Sequence, residues 1–172
     1  MMPILEWLES TTFATFVRES LSLLAYPSFS TAHTVGLGII VGLSTVMSLR
    51  ILGFAPTLPL APLKRLFPIM YFAFALNLFS GSGLLSAAAT KLAPHPAFLI
   101  KIVCVFTAVA IIRVLQVTSF RDPELDSKPL DTRSKVLAGS LLVLWLLSIT
   151  FGRLTAYTFV VIADLVRPIL GS

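Results

Sequence analysis

Apolar positions gather in four long blocks, roughly residues 27–52, 67–90, 97–119 and 136–163, and polar positions collect in the short joints between them. A helix needs about 20 apolar residues to cross a hydrocarbon core, at about 1.5 Å per residue. Each block therefore predicts one transmembrane helix. Residues 4–25 follow another rhythm. Leu5, Leu8, Phe13, Phe16, Val17, Leu21 and Leu24 fall near one side of a helix, and Glu6, Glu9, Arg18 and Glu19 fall mostly on the other. This segment should lie along the membrane surface or dock on the bundle before Pro27 turns the chain inward. The expected fold is all-α: an amphipathic surface helix over residues 1–26, then a single four-helix transmembrane bundle over 27–172.

Charge refines the picture. Only 12% of the 172 residues are charged and 56% are hydrophobic, with a net charge of +5. In a soluble chain that excess would suggest nucleic acid; here it follows the positive-inside bias of membrane topology, and no nucleic-acid partner is expected. The first and third joints, with adjoining helix ends, hold Arg50, Lys64, Arg65, Arg113, Arg121, Lys128, Arg133 and Lys135. The other side holds Arg18, Lys91, Lys101, Arg153 and Arg167. Eight cations against five put joints one and three in the cytoplasm and both termini outside, in a bacterial inner membrane. The acidic N-terminal segment lacks the basic start of a signal peptide.

The joints differ in chemistry. Residues 55–63 carry three prolines and should run extended. Residues 121–135 alternate acid and base, as a solvated loop does. Pro94-His95-Pro96 forces a tight turn, with His95 in solvent.

Ionisable groups within a span are disfavoured by about 2.5–3.5 kcal/mol each, so every one needs a reason. His33, Lys101 and Arg153 fall at similar depth near the outer face, with the hydroxyls of Thr31, Thr34 and Thr155. A histidine beside two cations suits an anionic or carbonyl-bearing ligand: haem propionates, a quinone head group or a lipid phosphate. His33 is the candidate metal ligand. The plainer alternative is that Lys101 and Arg153 snorkel to the interface and His33 bonds a neighbouring helix. Arg50 and Arg113 lie near the cytoplasmic ends, where snorkelling suffices.

Gly38-x-x-x-Gly42 is a close-approach motif, and Thr45 extends that side of the first span. His33 lies nearly opposite, with Gly36, Leu37, Ile40, Ser44 and Met47. Two sides of one helix could thus face protein or a ligand. In the second span, Asn77 near mid-membrane precedes Ser80-Gly81-Ser82-Gly83 and Ser86-Ala87-Ala88-Ala89, an outer half nearly free of bulk. A helix, a lipid or a flat ring could approach its backbone there.

The chain carries no zinc-protease, dithiol, nucleotide-binding or nucleophile-elbow motif. Cys104 is its one cysteine and reads as a small core residue. All acids except Asp164 lie in the N-terminal segment or the third joint, and Asp164 has Arg167 as a ready partner. No enzyme is expected. A transporter would want polar groups or an acid at mid-depth in repeated halves, and no repeat is visible.

Three stretches together carry a resemblance. They are Arg18-Glu-Ser-Leu…Tyr26-Pro…His33-Thr-Val-Gly-Leu-Gly…Leu49-Arg50-Ile-Leu-Gly53, then Pro96-Ala-Phe-Leu-Ile-Lys101, then Gly152-Arg153-Leu-Thr-Ala-Tyr157. The pattern resembles an uncharacterised family of small bacterial four-span inner-membrane proteins of unknown function. These are distantly similar to the membrane part of copper-resistance D type proteins and to small b-type cytochromes. The family pattern has an acid just before Leu49-Arg50 and a second histidine late in the third span, where this chain has Ser48 and Gln116. A pair of histidine ligands is therefore incomplete here.

The functional expectation is a non-catalytic subunit or accessory protein of a larger inner-membrane complex. It would contact lipid and other membrane subunits, or its own copies. The alternative is a redox carrier that binds haem b or quinone near the outer face through His33, Lys101 and Arg153.

Overall fold

The computed structural model describes residues 2–19, 25–121, 126 and 130–166, and every regular element among them is helical. Four helices are long and apolar enough to cross a membrane. No more than 33% of the most apolar stretch of any of them is buried inside the chain. The apolar remainder faces outward, which a bilayer accepts and water does not. This is a multi-pass membrane protein.

The amphipathic start is two helices rather than one, α1 (Met2–Ser10) and α2 (Thr12–Glu19). Thr11 makes the break: its hydroxyl donates to the Leu8 carbonyl (2.8 Å) and accepts the Ala14 N–H (3.2 Å), the work of an N-cap. Helix α1 buries nothing, whereas α2 buries Ala14 and Val17. The expected parts of Leu21, Leu24, Asp122, Glu124, Lys128 and Arg167, and the Asp164 side chain, lie outside the described residues.

The first span is α3 (Ala25–Leu52), with Pro27 in its first turn, where a missing N–H does no harm. It ends at Gly53, whose φ of 103° suits glycine. Gly53 N–H bonds the Arg50 carbonyl (3.2 Å) and Phe54 N–H the Leu49 carbonyl (3.0 Å), closing the helix in a Schellman motif. Joint one then turns instead of running extended. Leu58 N–H reaches the Ala55 carbonyl, and a 3-10 turn covers Ala61–Arg65 with proline at its start. The Asp126 carboxylate accepts the Leu60 (2.5 Å) and Ala61 (3.1 Å) N–H groups, so joint three holds the turn that proline alone would have left open.

The remaining helices are α4 (Leu66–Ala87), the short α5 (Ala89–Leu92), α6 (Pro96–Thr118) and α7 (Thr132–Val166). Joints one and three meet at one end of the bundle, its lower end. At the upper end the Glu9 carboxylate accepts both the N–H and the hydroxyl of Thr90 (2.7 Å each), tying α1 to α5.

Around the bundle the order is α4, α3, α7, α6, with α3 against both α4 and α7 and α7 against α6. The α4 and α6 backbones hardly approach one another, so the ring has a seam. Side chains bridge the lower part of that seam. The Tyr71 hydroxyl donates to Gln116 Oε1 (2.8 Å), and Phe74 meets Phe106 edge-to-face at 5.9 Å. The core fills the lower half and middle: Met47, Ile51, Phe67, Met70, Leu115, Leu141 and Trp145 are all buried. Phe67 and Phe120 stack edge-to-face at 5.1 Å.

Candidate functional site

The first span meets α4 through Gly36. A Cβ there would stand 3.0 Å from the Ala73 carbonyl oxygen and 3.2 Å from the Asn77 nitrogen. Gly38 and Gly42, the expected close-approach pair, meet nothing within 4 Å and face outward. The helices therefore close on the His33 side of α3, not the opposite one.

This contact sets His33 on α4 one turn above Gly36. Its Nδ1 donates to the Asn77 carbonyl (3.0 Å), and Asn77 Nδ2 returns a bond to the His33 carbonyl (2.8 Å). Ser80 Oγ lies 3.4 Å from the same nitrogen and itself donates to the Leu76 carbonyl. Gly81 leaves room for the ring, since a Cβ there would lie 3.0 Å from His33 Cε1. A carbonyl only accepts, so Nδ1 carries the hydrogen and a neutral ring keeps its lone pair on Nε2. Nε2 has no partner among the described residues.

Lys101 reaches the same place from α6. Its stem runs across Gly152 of α7, where a Cβ would lie 3.5 Å from Lys101 Cδ. The side chain is half-buried, and among the described residues its ammonium has no hydrogen bond or ion pair.

His33 and Lys101 line one cavity of about 880 Å³ in the upper half of the seam between α4 and α6. That is toward the large end of ligand pockets, roughly 300–1,000 Å³. Asn77 and Thr155 share the lining, with Arg18, Tyr26 and Lys91 near the top. Below them the walls turn apolar, through Leu78, Ile102 and Val105 to the Phe74–Phe106 contact. Leu78, Leu99 and Phe106 are 50%, 53% and 50% exposed, so the cavity opens sideways toward lipid.

The structure thus joins His33, Lys101 and Thr155. Arg153 is exposed and outside the lining although it follows Gly152 directly. Thr31 and Thr34 are also exposed, and Thr34 bonds its own helix at Ser30. Arg18, Lys91 and Gly152 carry no sequence signal as cavity residues, because only the fold brings α2, α5 and α7 to one spot. The small-residue half of α4 did carry one: Gly81, Ser82 and Ala87 line the cavity, as does Ala88 just past its end.

Among the described residues no group of three His, Cys, Asp or Glu could hold a metal ion. His33 is the lining's one imidazole, with no sulfur beside it, so the cavity offers neither a histidine pair nor a histidine–methionine pair for six-coordinate haem. No protein-family model, curated protein or solved structure matches the chain.

Proposed function

We propose that this protein is a non-catalytic membrane subunit or accessory protein whose task is to bind an amphipathic molecule drawn from the bilayer. One observation carries the reading: a cavity of about 880 Å³ that opens laterally between two spans and grades from cationic to apolar. An amphiphile enters such a cavity from lipid without its tail crossing water. The lining also favours binding over chemistry, because among the described residues it offers cations and one imidazole but no carboxylate to work with them as an acid–base pair. The exposed Gly38–Gly42 side of α3 suits a partner helix or a second copy. We place the protein in a bacterial inner membrane with the upper end outside, on the cation asymmetry of the joints.

Native mass spectrometry of protein released from nanodiscs tests the reading. A lipid-sized adduct should survive gentle activation and disappear in Ile102→Trp, which fills the cavity. Adduct-free spectra of the wild type, or equal adducts in both proteins, refute it.

A quinone carrier is the second reading, favoured by two groups facing one cavity: the Lys101 ammonium can donate to a quinone carbonyl, and His33 Nε2 can accept from the hydroxyl of the reduced quinol. A quinone needs only hydrogen bonds at its carbonyls, not a second axial ligand. Extraction and redox difference spectroscopy of the purified protein decide it.

A further inference from the structure

Among the described residues, three cationic side chains line this cavity at different heights and no carboxylate lines it with them. Lys91 and Arg18 stand at the top, where the cavity reaches the interface. Lys101 stands about one turn inside α6, and beneath it the lining turns aromatic and aliphatic down to Phe74 and Phe106. Glu9 is outside the lining and is held by Thr90, although its carboxylate also feels the charges of Arg18 and Lys91.

Two polar atoms of the inner lining lack partners among the described residues, His33 Nε2 and Lys101 Nζ. They ask for different things. An ammonium in a span needs an anion, and it is strongest when that anion accepts its hydrogen bonds out of water. An imidazole Nε2 lone pair needs a hydroxyl or N–H donor. A phospholipid head supplies both, an anionic phosphodiester and, in glycerol-type heads, hydroxyl donors. A zwitterionic choline head would set its own cation beside Lys91 and Arg18. The grading of the walls matches the way a lipid of the upper leaflet already stands, head up and tails toward mid-membrane.

We infer that the cavity between α4 and α6 is a binding site for an anionic phospholipid, whose phosphate is held by Lys101 with Lys91 above it, and whose head-group hydroxyl donates a hydrogen bond to His33 Nε2. This deepens the binding role proposed above and rests on it.

The test uses the full-length protein in nanodiscs or dodecyl maltoside, with a fluorescent phosphatidylglycerol as probe. Unlabelled phosphatidylglycerol, phosphatidylcholine, oleate and inorganic phosphate serve as competitors. Phosphatidylglycerol should compete about tenfold or more better than phosphatidylcholine, the factor expected of one charge-assisted hydrogen bond. Lys101→Met should remove most of that preference while leaving phosphatidylcholine competition unchanged. Lys101→Arg should keep it, and Lys64→Met at the lower end should not touch it. Should Lys101→Met fail to fold, Lys91→Gln supplies the same comparison from the top of the cavity, with a smaller loss.

Equal competition by the two phospholipids would overturn the anionic inference and leave the amphiphile reading standing. Failure of every lipid to compete would overturn both. Competition by oleate with none from phosphatidylglycerol would replace the phospholipid with a fatty acid, and competition by inorganic phosphate would make this a soluble-anion site; either result sinks the proposal.

Discussion

The lower and upper halves of this bundle are built on the same four helices and packed in opposite ways. Below the middle, Phe67, Met70, Met47, Ile51, Leu115 and Leu141 interlock, and Phe120 closes on Phe67. The joints lock that end further. Asp126 caps the 3-10 turn, Arg50 donates to the Leu58 and Pro56 carbonyls, and Asp131 caps α7 at the Ser134 N–H (3.0 Å). Above the middle, α4 carries glycine, serine and alanine where it carries aromatics below. Part of the released space is taken by Phe29 against Gly83 and by His33 against Gly81. The rest stays open as the cavity. Side-chain bulk along one helix thus separates a half that holds the fold together from a half that can hold a ligand.

The largest way to break this contrast is to empty the lower half. Phe67→Ala should cost about 3–5 kcal/mol by removing a fully buried aromatic. Phe72→Ala, on the outward face of the same helix at 70% exposure, should cost far less. Denaturation midpoints in one detergent compare the two, and similar losses would show that the lower half is no tighter than the lipid-facing surface.

Next in size is the glycine contrast. Gly83→Ala puts a Cβ 2.6 Å from Phe29 Cε1, and Gly36→Ala puts one 3.0 Å from the Ala73 carbonyl oxygen. Overpacking of this kind costs about 1–3 kcal/mol. Gly38→Ala meets nothing and should be neutral or slightly stabilising, since alanine favours helix. A measured loss at Gly38 as large as at Gly36 would mean that the outward face is also packed, by a partner or a second copy.

The seam offers a smaller effect. Tyr71→Phe removes the hydroxyl bond to Gln116 and should cost about 1 kcal/mol. Arg113 also donates to Gln116 Oε1 (2.7 Å), so the acceptor keeps a partner and the loss stays modest. Hydrogen exchange should rise first in the upper halves of α4 and α6; a rise confined to the lower joints would contradict the seam.

The smallest effect is on pH. The Thr90 bonds hold the Glu9 carboxyl below its ordinary 4.5, and the Ser134 bonds hold Asp131 below 3.8. Glu9 is half-buried and Asp131 is exposed. A lowered carboxyl stabilises the fold above its unfolded value, and that contribution fades as pH falls through the folded one. Acidification below about pH 4 should therefore loosen α1 from α5 before the core melts. Exchange of the α1 amides should follow this course, and Glu9→Gln should flatten it. An unchanged acid response in Glu9→Gln would remove the latch from the comparison.

Spans, joints and the separate N-terminal segment were legible in the chain because each depends on a local property, the run length of apolar residues or their period. His33 and Lys101 were legible as exceptions inside such runs, and the slim half of α4 as a place for close approach. Other features were not readable from any local pattern. The Thr11 break depends on one hydroxyl finding two backbone groups, and the turn in joint one depends on Asp126, 65 residues away from Ala61. Which glycines meet a neighbour depends on which side of α3 faces α4, and two glycine-bearing sides competed for that role.

Apolar run length by itself determined that this chain crosses a membrane four times, since no other solvent would accept those surfaces. Only the tertiary structure decided that α4 and α6 part above Phe74, that Lys101 crosses Gly152 into the gap, and that Arg153 stays outside it. Run length is a property of neighbours in the chain. A cavity is a property of helices that meet in space, set by the summed volumes and angles of side chains drawn from six separate elements.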